Sequence, residues 1–250
     1  MRYFLRIAYD GTNFHGWQRQ PNAISVQETI EDALSLIMRE NVSIVGAGRT
    51  DTGVHATEMY AHFDGPEFID RLRLLGSLNR LIGKEISITD IKEVVPEAHA
   101  RFDALSRRYK YCISIGKDPF YSRFSHEMQR LPDVELMNKA ANILLQTEDF
   151  TSFAKLHSDA KTNLCKVTEA VWHFDKSGEK LFFTITANRF LRNMVRAVVG
   201  TLLEVGTKKI SIEQFKEIIN KKDRCEAGMS MPAKGLFLTQ IEYPKEIFIL

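Results

Sequence analysis

The chain has 250 residues, of which 44% are hydrophobic and 26% are charged, and its formal net charge is +2. These values are ordinary for a globular protein with one large or two small domains. No apolar run approaches the roughly 20 residues that span a bilayer, and the N-terminus lacks a signal-peptide pattern. We therefore expect a cytoplasmic protein without a membrane partner. The small net charge neither predicts nor excludes nucleic-acid binding, which depends on local basic surface.

The cysteines and histidines form no disulfide or metal pattern. Cys112, Cys165 and Cys225 lie far apart and no C-x-x-C occurs. An odd number of cysteines argues against a closed set of disulfides, so we expect free, buried thiols. His55 and His62 do not have zinc-ligand spacing. We therefore predict no metal.

The first hundred residues are predicted to have the order βαββαβ. "YFLRIAYD" alternates like a strand, and Ser25 and Glu28 have the spacing of a capping box before an apolar helical stripe. Two strands are expected around residues 42–46 and 58–64. "FIDRLRLLGSLNRLIG" predicts a second helix and "ISITDIKEVV" a further strand. The residues predicted to face inward from the second helix are Ile69, Leu72, Leu75, Leu78 and Ile82.

Residues 101–250 are predicted to repeat that order. "RRYKYCISIG" reads as a strand, and a helix follows Asp133 as its N-cap. "KVTEAVWHFD" and "KLFFTITAN" read as two strands, and "RFLRNMVRAVVGTLLEVG" as a helix. "SIEQFKEIIN" is a further amphipathic segment before a last strand, "LFLTQIEYP". The sequence thus predicts an α+β protein of two ferredoxin-like or RRM-like halves, residues 1–100 and 101–250.

The stretch "SIVGAGRTDTGVHATEMYAHF" places one carboxylate, Asp51, in a glycine-dense loop between two strands. A Walker loop would need Lys after the second glycine, and the dinucleotide fingerprint would need a third glycine where Asp51 stands. Asp51-Thr52-Gly53 matches the aspartic-protease triplet, but that chemistry needs two carboxylates, and only a homodimer could supply the second. A structural turn, in which the Asp caps nearby N–H groups, also stays open.

Basic and aromatic residues are grouped in the second half. Arg192 and Arg196 are four residues apart in the predicted helix "RFLRNMVRAVVG" and would share a face. "RRYKY" interleaves cations with Tyr109 and Tyr111, a pattern that can pair phosphates and stack bases. Taken singly, each feature is also consistent with an ordinary solvated helix face or an amphipathic strand.

Five segments in order along the chain closely resemble the tRNA pseudouridine synthase A family. They are "YDGTNFHGWQRQ", "GAGRTDTGVHA", "HARFDALSRRYKY", "FLRNMVRAVVG" and "AKGLFLTQIEYP". Together they span nearly the whole chain. The nearest departure is Thr52, where many members have a smaller residue such as alanine, and it changes no charge.

The resemblance implies a pseudouridine synthase fold, with two ferredoxin-like halves joined across a central mixed sheet. It implies a homodimer that binds tRNA with both subunits and needs neither a metal nor an organic cofactor. It also implies an isomerase that converts uridines 38, 39 and 40 of the anticodon stem-loop to pseudouridine. By the same match, Asp51 is the catalytic aspartate, Tyr109 contacts the target base and Arg196 pairs with the aspartate.

The chemistry gives these residue types a purpose. A carboxylate can act as the nucleophile, on C1′ or on C6, or first as a base on the ribose, and the sequence does not choose among these routes. The uridine must be flipped out of its stem before a side chain reaches it. Arg196 would keep Asp51 ionised, because a guanidinium cannot lose its proton. Tyr109 could stack on the flipped base.

Further residues are predicted to contact the substrate. Thr50 and His55 flank the aspartate in the matched segment, and the arginines are candidates for phosphate contacts. These arginines are Arg19, Arg49, Arg107, Arg108, Arg189 and Arg192. His15, Trp17 and Gln18 of the first loop could also meet RNA, although Trp17 could equally anchor that loop by packing.

Three alternatives stay open. The enzyme could modify another RNA site, or the chain could be a non-catalytic RNA-binding protein of two RRM-like halves. Glycoside hydrolysis would need a second acid at a fixed distance from Asp51, and only Glu58 is near it in sequence.

Overall fold

A computed structural model describes residues 1–155, 161–176 and 178–249. In chain order, its strands and helices are β1 (Arg2–Tyr9), α1 (Val26–Met38), β2 (Val45–Gly46), β3 (His55–Asp64), α2 (Arg71–Leu81), β4 (Ile86–Val94), β5 (Ser106–Ile115), β6 (His126–Met128), α3 (Val134–Ala141), β7 (Val167–Phe174), β8 (Lys180–Ala187), α4 (Met194–Gly206), α5 (Ile212–Lys221) and β9 (Leu236–Glu242). This mixture of helices and largely antiparallel strands confirms the predicted α+β class.

The chain divides into two compact units. One comprises Met1–Ser106 together with Leu238–Leu250, and the other comprises Arg107–Phe237. The last strand, predicted from "LFLTQIEYP", therefore contributes most of its length to the first unit. The division into halves at residues 1–100 and 101–250 stays a prediction. Within the described ranges, no helix is long and apolar enough to cross a membrane.

The first unit has the βαββαβ order that the sequence predicted. Its strands follow the order β4-β1-β3-β9, with the two-residue strand β2 paired to β3. β1 runs antiparallel to both β3 and β4. Its alternating apolar side chains are buried, as predicted. These side chains are Tyr3, Leu5, Ile7 and Tyr9.

The two helices of the first unit begin at the residues that cap them. The Ser25 hydroxyl accepts a hydrogen bond from the Glu28 N–H at 3.2 Å, which is the first half of the predicted capping box. In α2, the prediction that Leu72 faces inward is wrong, since that side chain is 84% exposed. The helix begins at Arg71 after the Asp70 cap, and this phase buries Leu74 in place of Leu72, while Leu78 is buried as predicted.

The second unit contains the three-stranded antiparallel arrangement β5-β8-β7, and the short strand β6 runs parallel to β5. The predicted cap of α3 is confirmed, because the Asp133 carboxylate accepts from the Leu136 N–H at 3.0 Å. Two of the three cysteines, Cys112 and Cys165, are free and buried as predicted, but Cys225 is free and exposed.

The helix that carries Arg196 is shorter than predicted. It begins at Met194, and Asn193 precedes it with a φ of +68°, in the left-handed region. Arg192 therefore lies before the helix. The prediction that Arg192 and Arg196 share a helical face is wrong, because the backbone turns between them.

Candidate active site

The loop of residues 47–54, here called the acid loop, is fixed by backbone hydrogen bonds. The Trp17 N–H donates to the Thr50 carbonyl at 3.2 Å, and the Gly53 N–H donates to the Phe14 carbonyl at 3.3 Å. The Val54 N–H closes a turn onto the Asp51 carbonyl at 3.1 Å. Asp51 itself is half-buried. Its carboxylate is thus carried on a backbone whose position is set by its neighbours.

Glycines allow two chain segments to meet at the acid loop. Gly16 has a φ of +88°, and a Cβ atom there would lie 2.4 Å from the Thr50 carbonyl oxygen. A Cβ atom on Gly46 would lie 2.3 Å from Nε1 of Trp17. A Cβ atom on Gly48, by contrast, would meet no atom within 4 Å. Packing therefore explains Gly16 and Gly46, whereas Gly48 faces open space.

Buried aromatic side chains pack against the acid loop. Trp17 is only 2% exposed, and its ring centroid lies 6.2 Å from that of Tyr9. The Tyr9 and Thr50 hydroxyl groups are 2.9 Å apart in a buried hydrogen bond. Of the two roles that the sequence left open for Trp17, its burial favours packing over RNA contact.

Several residues predicted to bind substrate have structural partners in the first unit. Thr50 is buried against Tyr9, and buried His55 accepts the Gly11 N–H at Nδ1, at 3.0 Å. Arg19 lies in the loop before α1, and its guanidinium is 3.2 Å from the carboxylate of Glu31, 3.5 Å from that of Glu28 and 3.7 Å from that of Asp32, all on the helix. The substrate contacts of these three residues stay predictions.

Arg49 differs from them. It is exposed, and it makes no hydrogen bond or ion pair with any residue of the described ranges. A guanidinium two residues from Asp51 is therefore left to solvent, or to an anionic ligand.

In the second unit, Arg196 occupies the first turn of α4. The positive end of the helix dipole disfavours a cation there. The Arg196 Nε–H donates to the Met231 carbonyl at 2.6 Å, and the Met231 N–H donates back to the Arg196 carbonyl at 3.1 Å. This reciprocal pair orients the guanidinium plane.

Residues 227–232, here called the strap, supply that carbonyl. The Ser230 hydroxyl accepts from the Asn193 amide at 2.5 Å and from the Arg224 guanidinium at 2.8 Å. The strap crosses α4 so closely that a Cβ atom on Gly200 would lie 1.9 Å from the Met229 carbonyl oxygen. Sequence reasoning missed Asn193, Ser230 and Met231, because no periodic pattern links residues so far apart in the chain.

The two tyrosines of β5 have different environments. Tyr109 is half-buried and meets Phe190 edge-on, with ring centroids 5.1 Å apart and planes at 85°. Tyr111 is fully buried and donates to the Pro232 carbonyl at 2.9 Å. Burial raises the pKa of Tyr111 well above its usual range, and the nearby Arg196 charge partly opposes this. Tyr111 is therefore part of the core, which leaves Tyr109 as the candidate for base contact.

The neighbouring arginines of the second unit are also engaged. The Arg107 guanidinium donates to the Asn188 carbonyl at 2.8 Å. Arg108 pairs with Glu169 at 3.0 Å and donates to the Thr186 hydroxyl at 3.1 Å. Arg192 is exposed before α4. Phosphate contacts by these residues stay predictions, and binding by Arg108 would have to compete with a carboxylate.

Glu58, the acid that lies near Asp51 in sequence, has structural partners within the first unit. Glu58 pairs with Arg6 at 2.5 Å and accepts the Ile241 N–H at 3.1 Å.

In the part of the chain that the structure describes, no group of three or more His, Cys, Asp or Glu side chains is placed to hold a metal ion.

Comparison with known proteins identifies the family. Residues 140–244 match the family model described as tRNA pseudouridine synthase. The tRNA pseudouridine synthase A of Bacteroides thetaiotaomicron is 50% identical over 248 residues, which cover 99% of this chain and 92% of that protein. The enzymes of that name from Parabacteroides distasonis and Porphyromonas gingivalis are 53% and 50% identical, each over 99% of this chain and over 98% and 99% of their own lengths. Identity at this level over nearly the full length of the proteins leaves one conclusion: the chain is an isomerase that belongs to the tRNA pseudouridine synthase A family.

Proposed function

We propose that this protein isomerises uridines 38, 39 and 40 of the tRNA anticodon stem-loop to pseudouridine, with Asp51 as the nucleophile on a flipped-out uridine. The observation that carries the proposal is the half-buried Asp51, held on a fixed loop beside the exposed Arg49. A nucleophile needs a defined position, and an anionic substrate needs a free cation near it.

The reaction conserves its atoms. The N1–C1′ bond breaks, the base turns, C5 bonds to C1′, and the hydrogen of C5 is replaced by one on N1. A carboxylate can hold the detached fragments by bonding to C1′ or to C6, or it can begin the reaction by taking a proton from the ribose. Asp51 must be ionised for each route.

Arg196 supplies the charge in this proposal. Burial beneath a bound base would favour the neutral acid, and a guanidinium opposes this because it does not lose its proton. The Met231 carbonyl takes the Nε–H of Arg196. Since the Nε–H is used in this way, the charge would act through the Nη groups.

Tyr109 would stack on the flipped base and recover part of the cost of extraction. Flipping costs a few kcal/mol, and base–aromatic stacking contributes about 1–3 kcal/mol. The edge-on contact with Phe190 holds the Tyr109 ring and leaves less rotamer freedom to lose on binding.

The proposal extends to the assembly and the cell. We infer a homodimer in which both subunits bind one tRNA, as the family resemblance implies, and a cytoplasmic location, where tRNA is modified. The oligomeric state can be measured by light scattering of the purified protein.

The decisive experiment uses Asp51→Asn on an unmodified tRNA transcript. The variant should bind the transcript with nearly wild-type affinity and form no pseudouridine, because an amide is a poor nucleophile. Product is scored by mapping pseudouridine along the RNA. The matched control is Asp90→Asn on β4, a half-buried acid that should retain wild-type turnover.

Three outcomes would contradict the proposal. Normal pseudouridine formation by Asp51→Asn would show that Asp51 is not the nucleophile. Product at positions other than 38, 39 and 40 would support the proposed chemistry but show that the target uridines are different. Loss of turnover in Glu58→Gln, without loss of stability, would favour a two-carboxylate mechanism instead.

A further inference from the structure

The loop of residues 117–124 between β5 and β6, "KDPFYSRF", is here called the Phe120 loop. Its backbone is fixed by its own side chains. The Asp118 carboxylate accepts the N–H groups of Phe120 and Tyr121 at 3.0 and 3.2 Å. The buried Ser125 hydroxyl donates to the Tyr121 carbonyl at 2.9 Å and lies 3.0 Å from the Ser114 hydroxyl of β5. These hydrogen bonds therefore hold the loop in a defined turn conformation.

Two lysines from elsewhere in the second unit fasten this turn. The Lys180 ammonium of β8 lies 3.6 Å from the centroid of the Tyr121 ring and 3.7 Å from the Asp118 carboxylate. The Lys234 ammonium donates to the Ser122 carbonyl at 2.8 Å. A fixed turn loses little conformational entropy when a ligand binds to it.

The apex of this turn presents aromatic surface to solvent. Phe120 is 87% exposed and Tyr121 is 44% exposed. A single exposed aromatic residue is common and needs no explanation. What sets this loop apart is that two adjacent aromatic side chains stand on a rigid turn among several cations.

Basic side chains outnumber acidic ones around the apex. Lys117 and Arg123 are exposed within the loop, and Lys180 and Lys234 contact it. Its single acid, Asp118, is used to hold the turn. Cations next to exposed π faces match phosphates next to unstacked bases, the combination found where proteins bind single-stranded nucleic acid. An acidic protein partner would match the charge but not the paired aromatic faces.

We propose that the Phe120 loop is a second tRNA contact, in which Phe120 stacks on an unpaired base while Lys117 and Lys234 bind the flanking phosphates. The contact rests on the tRNA substrate of the proposed function but not on the chemistry of Asp51. It binds a nucleotide other than the one that reacts, so it affects affinity rather than the chemical step.

The test compares Phe120→Ala with wild type and with Phe68→Ala. Phe68 is a matched control, since it is 90% exposed but lies between the acidic residues Glu67 and Asp70. Phe120→Ala should raise the Kd for a tRNA transcript about tenfold and leave single-turnover kcat at saturating tRNA unchanged. Phe120→Trp should restore binding, whereas Phe120→Leu, which keeps apolar area but no π face, should not.

Salt dependence separates the charged from the stacking contacts. Lys117→Ala should reduce the slope of log Kd against log salt concentration by about the amount expected for one phosphate contact. Phe120→Ala should raise Kd at every salt concentration without changing that slope. Melting temperatures of all variants should match wild type, because the altered side chains are exposed.

Three results would overturn the inference. They are an unchanged Kd in Phe120→Ala, full rescue by Phe120→Leu, and a change of molecular mass in Phe120→Ala, which would make the loop a protein interface. Wild-type enzyme serves in every assay as the check on the proposed function. If it formed no pseudouridine at positions 38–40 while Phe120→Ala still lost affinity, the proposed function would fail and the RNA contact would stand.

Discussion

At the scale of single residues, the arginines predicted from the sequence fall into two groups. Arg19 and Arg108 each lie within ion-pair distance of carboxylates of their own unit. Arg49 is exposed and has no partner in the described ranges. A residue already paired in the free protein must exchange one anion for another when RNA binds, so its net gain is small. Arg49 is therefore the strongest candidate for a phosphate contact.

Arg196 should not be replaceable by lysine. In Arg196→Lys the Nε–H that donates to the Met231 carbonyl is lost, and a point charge replaces the planar fork. We expect single-turnover kcat to fall by about 100-fold, a loss comparable to removing one preorganised charge-stabilising donor. The melting temperature should change little, because α4 keeps its buried apolar face.

Arg192→Lys is the matched control for that experiment. Arg192 is exposed before α4, and a lysine there still offers a cation to a phosphate. Its turnover should stay within about threefold of wild type. An equally large loss in the two variants would mean that the guanidinium is needed at both positions, and that its contact with Met231 does not set Arg196 apart.

Tyr109→Phe should affect catalysis more than binding. The phenyl ring preserves the edge-on contact with Phe190 and the stacking surface, so the Kd for tRNA should hardly change. If the hydroxyl moves a proton in the final step, kcat should fall by about 100-fold, within the range of general acid–base contributions. Near-normal turnover would show that the hydroxyl is dispensable and that Tyr109 acts only by stacking.

At the scale of elements, packing requires some of the glycines that contact or adjoin the acid loop, but it does not explain Gly48 within the loop. Gly46→Ala would drive a methyl group into Trp17, so we expect a loss of stability of about 1–3 kcal/mol. Gly48→Ala meets open space and should leave the unfolding free energy unchanged. If a nucleotide approaches this backbone, Gly48→Ala should nevertheless raise the Kd for tRNA. Urea unfolding and tRNA titration of both variants measure the two effects.

The contrast between these glycines can fail in two ways. A stable Gly48→Ala with wild-type affinity would mean that the substrate does not reach this part of the acid loop. A stable Gly46→Ala would mean that Trp17 moves aside, and that the loop is less firmly held than its hydrogen bonds indicate.

Local rules predicted the elements better than their ends. The Asp133 cap and the alternation of β1 follow from residue type and spacing within a few positions. The start of α4 depends on the left-handed conformation of Asn193, which periodicity does not reveal. The strap over Arg196 joins residues more than thirty positions apart in the chain. Among the site residues, the sequence named Arg196 by family resemblance, but only the structure supplied the carbonyl that orients it.

At the scale of the whole molecule, two compact units hold different parts of the proposed chemistry. Asp51 and Arg49 belong to the first unit, and Tyr109 and Arg196 to the second. Each unit also contains one of the two tryptophans, Trp17 in the first and Trp172 in the second. If the tryptophan of one unit is replaced, the fluorescence of the remaining tryptophan therefore reports the unfolding of the other unit.

A buried histidine, His62, should make the first unit sensitive to acid. His62 is 5% exposed, its Nδ1 accepts the Ala100 N–H at 3.1 Å, and its ring centroid lies 4.7 Å from that of His99. Burial, followed by the charges of Arg2 and His99, lowers the pKa of His62 from 6.5 to about 4. The unfolded chain therefore binds a proton at a higher pH than the folded protein does.

The sign of the pH effect follows from that difference. The stabilisation is fully present above pH 6.5 and is lost as the pH falls toward 4, with an upper size of about 3 kcal/mol. In a Trp172→Phe background, the urea midpoint followed by Trp17 fluorescence should fall between pH 6.5 and 4.5. His62→Gln should flatten this fall, because its side-chain carbonyl can still accept the Ala100 N–H but does not titrate. His15→Gln, at an exposed position, should retain the wild-type slope. Equal slopes in all three proteins would show that His62 does not control acid stability, and that other groups with lowered pKa values, such as His99, do.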